Sequence, residues 1–307
     1  MGTSLTLSGL PDSHALDYQQ VGPTVLRILV GSQLRRLREA RGISPKDAGE
    51  AIRASHSKIS RLECGRTGFK TRDVTDLLSL YLVHDEAERA ALLALAQQAN
   101  VPGWWHTYGD VVPSWFEPYL GLEQGASVIR CYEVQFIPGL LQTEDYARAV
   151  IQLGHSDATP AEVERRVSLR MERRRLITRP DPPRLWAVID EAAFHRPIGG
   201  DATMRRQIQH LIDIAALPHV TIEMMPFSAG GHAAAGGPIT ILRFAQDAIP
   251  DMVYLEHLTH AFYSDRQADI DLYCQVMHRL VIHSQPLSAR AETLPWSATR
   301  RADRSRD

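Results

Sequence analysis

Residues 55–61, Ser-His-Ser-Lys-Ile-Ser-Arg, put four kinds of hydrogen-bonding side chain on about two turns of chain, if that chain is helical. His56 and Ser57 can donate or accept at a base edge, and Arg61, one turn later, can pair bidentately with guanine. Lys58 suits a base or a phosphate. Ser44, Lys46, Ser55, Arg66 and Lys70 fall near helix starts or in an exit loop, where contacts to phosphate oxygens would set register. This is recognition chemistry, and it requires a helix that presents the group on one free face.

The surrounding residues predict such a helix. Ser44 can cap a short helix, and Pro45 fits its first turn, where a missing N–H is harmless. Ala48, Ala51 and Ile52 give that helix an apolar side, and Arg53–Ala54 leaves room only for a sharp corner. Ser55 can cap a second helix with Ile59 and Leu62 inward and His56, Ser57, Lys58 and Arg61 outward. Gly65 then ends it. The result is a helix-turn-helix whose second helix fits a major groove. Val25–Ala40 predicts a preceding helix with Val30, Leu34 and Leu37 as its stripe and Arg35, Arg36 and Arg38 around it. Two more are predicted, over about Thr71–Tyr81 and after a cap at Asp85, with Leu92, Leu95 and Ala99 on one side.

Gly31 to about Leu82 resembles the XRE (Cro/C1-type) helix-turn-helix domain, through LRRLREARGIS (34–44) and HSKISRLECGR (56–66). Ile59-Ser60-Arg61-Leu62-Glu63-x-Gly65-Arg66 is its most specific part. One departure is Pro45, where that family usually carries a polar residue able to touch DNA. That departure counts against a base contact from the start of the second helix.

Composition agrees with one polyanion-binding unit in a larger chain. The 307 residues carry a net charge of −2, yet 31–70 holds ten Lys/Arg against four acids, a net of +6, leaving −8 elsewhere. A basic block in an acidic chain fits DNA contact through one domain only. No run of eighteen apolar residues exists, and the N-terminus lacks a basic-then-apolar leader, so neither membrane insertion nor export is expected. Three widely spaced cysteines, Cys64, Cys131 and Cys274, predict a reducing cytoplasm and no disulfide framework.

Five segments are expected. Residues 1–24 read as a disordered tail, 25–100 as the all-α DNA-binding domain of about five helices, and 101–125 as a linker. Residues 126–285 read as a mixed α/β (α+β) domain, and 286–307 as a disordered basic tail. In the linker, Trp104, Trp105, Tyr108, Trp115, Phe116 and Tyr119 crowd together while Pro102, Pro113 and Pro118 break any long helix. Packing of a hinge is the simpler reading; stacking against a base or a ligand is the other. Strands are predicted within 127–137, 184–190, 219–227, 237–244 and 251–258, with helices over Thr143–Leu153, from Thr159, over Thr203–Leu217 and over Asp269–His283. Arg165, Arg166, Arg170, Arg173, Arg174 and Arg175, interleaved with Glu162, Glu164 and Glu172, read as a solvated, ion-paired face; a second DNA site is the alternative.

The same half resembles the DUF5753 family through YEVQFIPGLLQTEDYARAVI (132–151), RMERRRLI (170–177), IDEAAFHRPIGG (189–200) and MMPFSAGGHAAAGGPITILRF (224–244). The resemblance implies a regulator of the actinobacterial type and a small partner protein of the DUF397 type. It brings no catalytic residues.

Chemistry in this half is less sharply marked. Glu133, Asp190, Glu191 and Glu256 fall in or at the ends of predicted strands, where paired carboxylates could do acid–base work. His232 sits in a small-residue loop, AGGHAAAGG, that could close over a ligand or merely connect two strands; it lacks the Gly-Lys-Ser/Thr of a phosphate loop. Trp104, Trp105, Glu133, Glu191, His232 and Glu256 are thus the candidate effector-site residues. His195, His219, His257 and His260 show no metal-binding spacing, and no metal or cofactor is expected. The expectation is a cytoplasmic, non-enzymatic regulator that binds an operator in double-stranded DNA as a homodimer, since one module reads too few bases. A small molecule or a partner protein would bias the pose of two reading heads. The rival reading makes the C-terminal domain an enzyme or toxin-like effector, favoured if Glu133, Asp190 and Glu256 share one cleft.

Overall fold

The computed structural model describes residues 22–234, 236–247, 249–289 and 294–296. The expected tails, 1–24 and 286–307, therefore fall mostly outside the described residues. The chain divides into two compact units. One comprises Met1–His106, Pro118–Gly125 and Phe244–Pro250, the other Thr107–Glu117, Ala126–Arg243 and Asp251–Asp307.

Five helices begin the first unit: α1 (Pro23–Ala40), α2 (Pro45–Ala51), α3 (His56–Glu63), α4 (Thr71–Leu80) and α5 (Glu86–Gln98). Their starts are set as the sequence predicts. The Ser44, Ser55 and Asp85 side chains accept from the backbone N–H of Asp47, Lys58 and Glu88 respectively. Val30, Leu34, Ala48, Ile59, Leu62, Leu77, Leu78 and Leu92 form a buried core. Arg53, at the corner between α2 and α3, adopts a positive φ of 54°.

Helices α1 and α3 touch backbone to backbone. A Cβ added at Gly31 would lie 2.5 Å from the Leu62 carbonyl oxygen. Behind α3, Gly65 has φ +66°, its N–H donates to the Leu62 carbonyl (3.0 Å), and the Arg66 N–H donates to that of Arg61 (2.8 Å). These two bonds close a Schellman motif. A Cβ at Gly65 would also lie 2.7 Å from the Ile28 nitrogen. Gly65→Ala is accordingly expected to destabilise this unit by about 1–3 kcal/mol, read as a lower thermal midpoint in circular dichroism.

Arg38, expected among the surface cations, is buried instead. Its guanidinium donates twice to Glu63, Nε to Oε1 at 2.6 Å and Nη2 to Oε2 at 2.9 Å, and once to the Ile43 carbonyl at 2.7 Å. Only 7% of either side chain is exposed. The pair raises the Arg38 pKa, chiefly through its hydrogen bonds to Glu63, and locks α3 to α1.

The segment read as a linker holds a helix, α6 (Glu117–Gly125). Pro118 does not break it, because a proline in the first turn forfeits no intrahelical bond.

The second unit is built on a seven-stranded mixed sheet ordered β6-β5-β4-β1-β2-β3-β7. Its strands are β1 (Val128–Glu133), β2 (Arg184–Asp190), β3 (Val220–Met225), β4 (Ile239–Arg243), β5 (Met252–Glu256), β6 (Ala261–Ser264) and β7 (Gln285–Pro286). β1, β2 and β3 run parallel, and the other pairings are antiparallel. Between the parallel strands lie α7 (Glu144–Gly154), α8 (Pro160–Thr178), α9 (Glu191–His195) and α10 (Asp201–Ile214). The buried, apolar run of β2 is what a strand covered on both faces needs. On one face Tyr132, Val188, Ile239, Ile241 and Val253 pack with Ile270, Met277 and Leu280 of α11 (Gln267–His283). The opposite face carries Cys131 and Glu133, since successive side chains alternate. β6, β7 and α9 are too short for periodicity to mark.

Candidate functional site

The exposed side of α3 carries His56, Ser57, Ser60 and Arg61, while Ile59 and Leu62 are buried beneath it. The Ser57 hydroxyl lies 3.5 Å from His56 Nε2. Lys58 turns away from the group, its ammonium paired with Asp73 of α4. Ser44 Oγ donates to Asp47 Oδ2 (2.7 Å), and Ser55 serves as the cap of α3. Much of the basic block is engaged: Arg38 by Glu63, Arg35 by Glu39, and Arg41 by the Tyr81 carbonyl. Lys46, Arg53, Arg61, Arg66 and Lys70 are exposed and have no partner among the described residues. These cations flank α3, where a polyanion would run. Ser60 and Arg53 were missed by sequence reasoning. Ser60 was findable from its i+4 spacing to His56.

On the face of the sheet opposite α11, the β1–β4–β5 register puts Glu133 and Glu256 on the same side as Tyr254. Cys131 pairs with Thr240 and Thr240 with Tyr254, and each glutamate lies two residues on. The Tyr254 hydroxyl donates to Glu256 Oε2 at 2.7 Å. Burial, and then the negative charge of Glu256, push the Glu133 carboxyl up to about 8, against a lowering pull from Arg170. Arg170 of α8 is drawn down to about 10 by burial and by Arg173, with Glu256 and Glu133 opposing. One Arg170 donor, Nη1, reaches Gln142 Oε1 at 2.7 Å. Gln142 is itself buried and fixed through Nε2 to the Ile137 carbonyl at 2.7 Å.

Residues 29–92 match a helix-turn-helix domain family (HTH_31), and residues 116–294 match DUF5753, a domain of unknown function. The second match covers more than half of the 307 residues. The chain belongs to the DUF5753 family. It joins that domain to a helix-turn-helix unit of the DNA-binding kind. No curated protein and no solved structure matches the chain.

The DUF5753 domain separates the remaining candidates. Asp190 lies on the face opposite Glu133, where the Tyr132 hydroxyl donates to Asp190 Oδ2 (3.1 Å) and lies 3.0 Å from His232 Nε2. This anchors the small-residue loop to the carboxyl ends of β1 and β2. Glu191 accepts from the Phe227 N–H at 2.7 Å and lies 3.4 Å from His195 Nε2. Trp104 and Trp105 belong to the helical unit, where Trp105 is buried among its neighbours at Gly103 and Gly121. The three acids whose shared cleft would favour an enzyme thus divide, with Glu133 and Glu256 on one face and Asp190 on the other. Among the described residues no cluster of three His, Cys, Asp or Glu is placed to hold a metal ion.

The arginine run of α8 is also corrected. Its middle part is not a solvated face but is packed into the domain. Arg165 pairs with Asp110 and lies over the Tyr108 ring, and Arg166 donates to the Val111 carbonyl (2.7 Å). Arg173 lies over Phe116, and Arg174 donates to the Gln142 carbonyl (3.2 Å). Arg165 and Arg175 follow the expectation, each ion-paired and well exposed, with Asp110 and Glu172 respectively.

Proposed function

We propose that the chain is a sequence-specific transcription regulator of the XRE type, a cytoplasmic homodimer that reads operator DNA with α3. Its DUF5753 domain dimerises and receives a small molecule or a DUF397-type partner, without catalysis. The single observation that carries this reading is the exposed His56–Ser57–Ser60–Arg61 face, flanked by cations with no internal partner. His56, Ser57 and Arg61 would read bases, with Lys46, Arg66 and Lys70 on phosphates and Ser44 and Ser55 beside them. Lys58 would reach DNA only by leaving Asp73.

The test is retention of genomic fragments by the purified protein at near-physiological salt, followed by sequencing. A shared, near-palindromic site supports the reading, and retention without one defeats it. Arg61→Ala should weaken operator binding by about 1–3 kcal/mol while leaving random DNA nearly untouched. Lys70→Ala should weaken both alike and reduce the salt slope by about one. Titration by gel shift or fluorescence anisotropy over a salt series separates the two behaviours.

A second reading, an enzymatic effector domain, draws support from one observation. Glu133 and Glu256 lie on one face with Glu133 held well above its ordinary range, as in acid–base pairs whose environments push their pKa values apart. A Glu133→Ala variant with unchanged operator binding and unchanged effector response would remove the regulatory role of that residue and favour this alternative.

A further inference from the structure

Helix α3 carries two permanent cations, and the structure treats them oppositely. Successive helical residues turn by about 100°, so Lys58 sits about 60° round the helix from Arg61. That is the border between the exposed arc of His56, Ser57, Ser60 and Arg61 and the buried Ile59 and Leu62. A flexible four-carbon stem rooted there can swing its ammonium to either side. It lies inward: Lys58 Nζ donates to Asp73 Oδ2 of α4. The Lys58 side chain keeps 29% of its surface exposed and that of Asp73 only 11%. The root is fixed, because the Lys58 N–H donates to the Ser55 cap at 3.3 Å. Lys46, Arg53, Arg61, Arg66 and Lys70, by contrast, are exposed and make no side-chain bond among the described residues.

Asp73 is what keeps Lys58 there. It stands in the first turn of α4, where the helix dipole favours a carboxylate. It is buried, and Lys58 is its one side-chain partner among the described residues. A lysine drawn out to a phosphate would leave that carboxylate desolvated and unpaired, which is costly. Each lysine–phosphate contact adds affinity through the counterions it releases, whatever the base sequence. We propose that Asp73 is a positioning residue that holds Lys58 off the DNA. It thereby sets how tightly, and with what salt sensitivity, the helix-turn-helix unit binds. The exposed arc of α3 reads with Arg61, while the second cation beside it is kept from gripping any backbone it meets. The effect falls on affinity for all DNA and not on the choice of bases.

The inference rests on the reading of α3 as the helix that meets DNA. Full-length wild type, Asp73→Asn, Lys58→Gln and the double variant would be titrated against a random-sequence duplex by fluorescence anisotropy over a salt series. D73N keeps the shape of the side chain and removes its charge, and K58Q keeps a donor for Asp73. D73N should bind about three- to tenfold more tightly at near-physiological salt, with a salt slope steeper by about one. A mere brace between α3 and α4 would do the reverse, since its loss loosens α3 and weakens binding. K58Q should keep the wild-type slope, because a lysine that touches no phosphate releases no counterion. The double variant should lose the D73N gain, which removal of the Asp73 charge alone would leave in place. A D73N protein shown folded by circular dichroism that binds no tighter, or with an unchanged slope, overturns the proposal. So does a K58Q slope lower by about one, or a gain that survives in the double variant. Should D73N fail to fold, the K58Q slope decides alone. If neither wild type nor D73N bound the duplex, the reading of α3 would fall together with the inference. A wild type that binds beside a D73N of unchanged slope would sink the inference alone.

Discussion

Glu63→Ala is expected to destabilise the helical unit by about 3–5 kcal/mol, although it removes a single exit-turn side chain of α3. The reason lies in what stays behind. Arg38 would keep its bond to the Ile43 carbonyl and a long 3.4 Å contact to the exposed Glu39, and lose both bonds to Glu63, leaving a buried cation without its buried anion. Domains of this kind hold about 5–15 kcal/mol in all, so the loss approaches the whole. Hydrogen exchange at the α1 and α3 amides should show it, with operator affinity falling in parallel because α3 loses its brace. Glu63→Gln, which keeps one acceptor, should lose clearly less. The apolar double variant Arg38→Met, Glu63→Leu should recover much of the loss, since the isolated charge is the source of the damage. A double variant as unstable as E63A would refute that account.

This pair also shows where sequence reasoning stops. The caps at Ser44, Ser55 and Asp85, the glycine exit at Gly65 and the inward Ile59 and Leu62 are local facts, written within one turn of the residues they govern. They were legible, and with them the outward face of α3. Arg38 and Glu63 lie 25 positions apart, and nothing in either neighbourhood tells a buried arginine from the solvated Arg35 three residues before it. The α8 run misled for the same reason. Arginines alternating with glutamates look like a wet face, but the aromatic segment 107–117 packs over them and takes their guanidinium groups.

Register was the other missing quantity. Glu133 and Asp190 both end parallel strands, and the sequence gives no sign that they point to opposite sides. Alternation along β1 and β2, paired Glu133 with Ile189, decides it. Glu256 joins Glu133 only because β4 is interposed antiparallel between β1 and β5. Such a juxtaposition needs three strands in place before it exists.

Glu133 therefore permits a prediction of comparable size, in pH rather than in sequence. Its carboxyl sits at about 8 in the folded domain, raised first by burial and then by Glu256, against an ordinary 4.5 when the chain unfolds. Between those values the folded state binds a proton that the unfolded state has lost, so stability must fall as pH rises. The contribution is fully present below about 4.5 and gone above about 8. Allowing for the water that reaches the accessible part of the residue, the loss by pH 9 is about 2–4 kcal/mol. Glu133→Gln, neutral at every pH, should be insensitive through that window and more stable than wild type at pH 8–9, as read by urea midpoints. His210, lowered chiefly by burial, acts with the opposite sign and below its ordinary 6.5, so it offsets part of the fall on the acid side of the window and leaves the basic side untouched. The tyrosines raised by burial, Tyr132, Tyr146 and Tyr254, titrate above the window. The difference between wild type and E133Q thus isolates one proton. A parallel pair of curves would mean that Glu133 is ionised in the folded domain, with its charge held by Arg170.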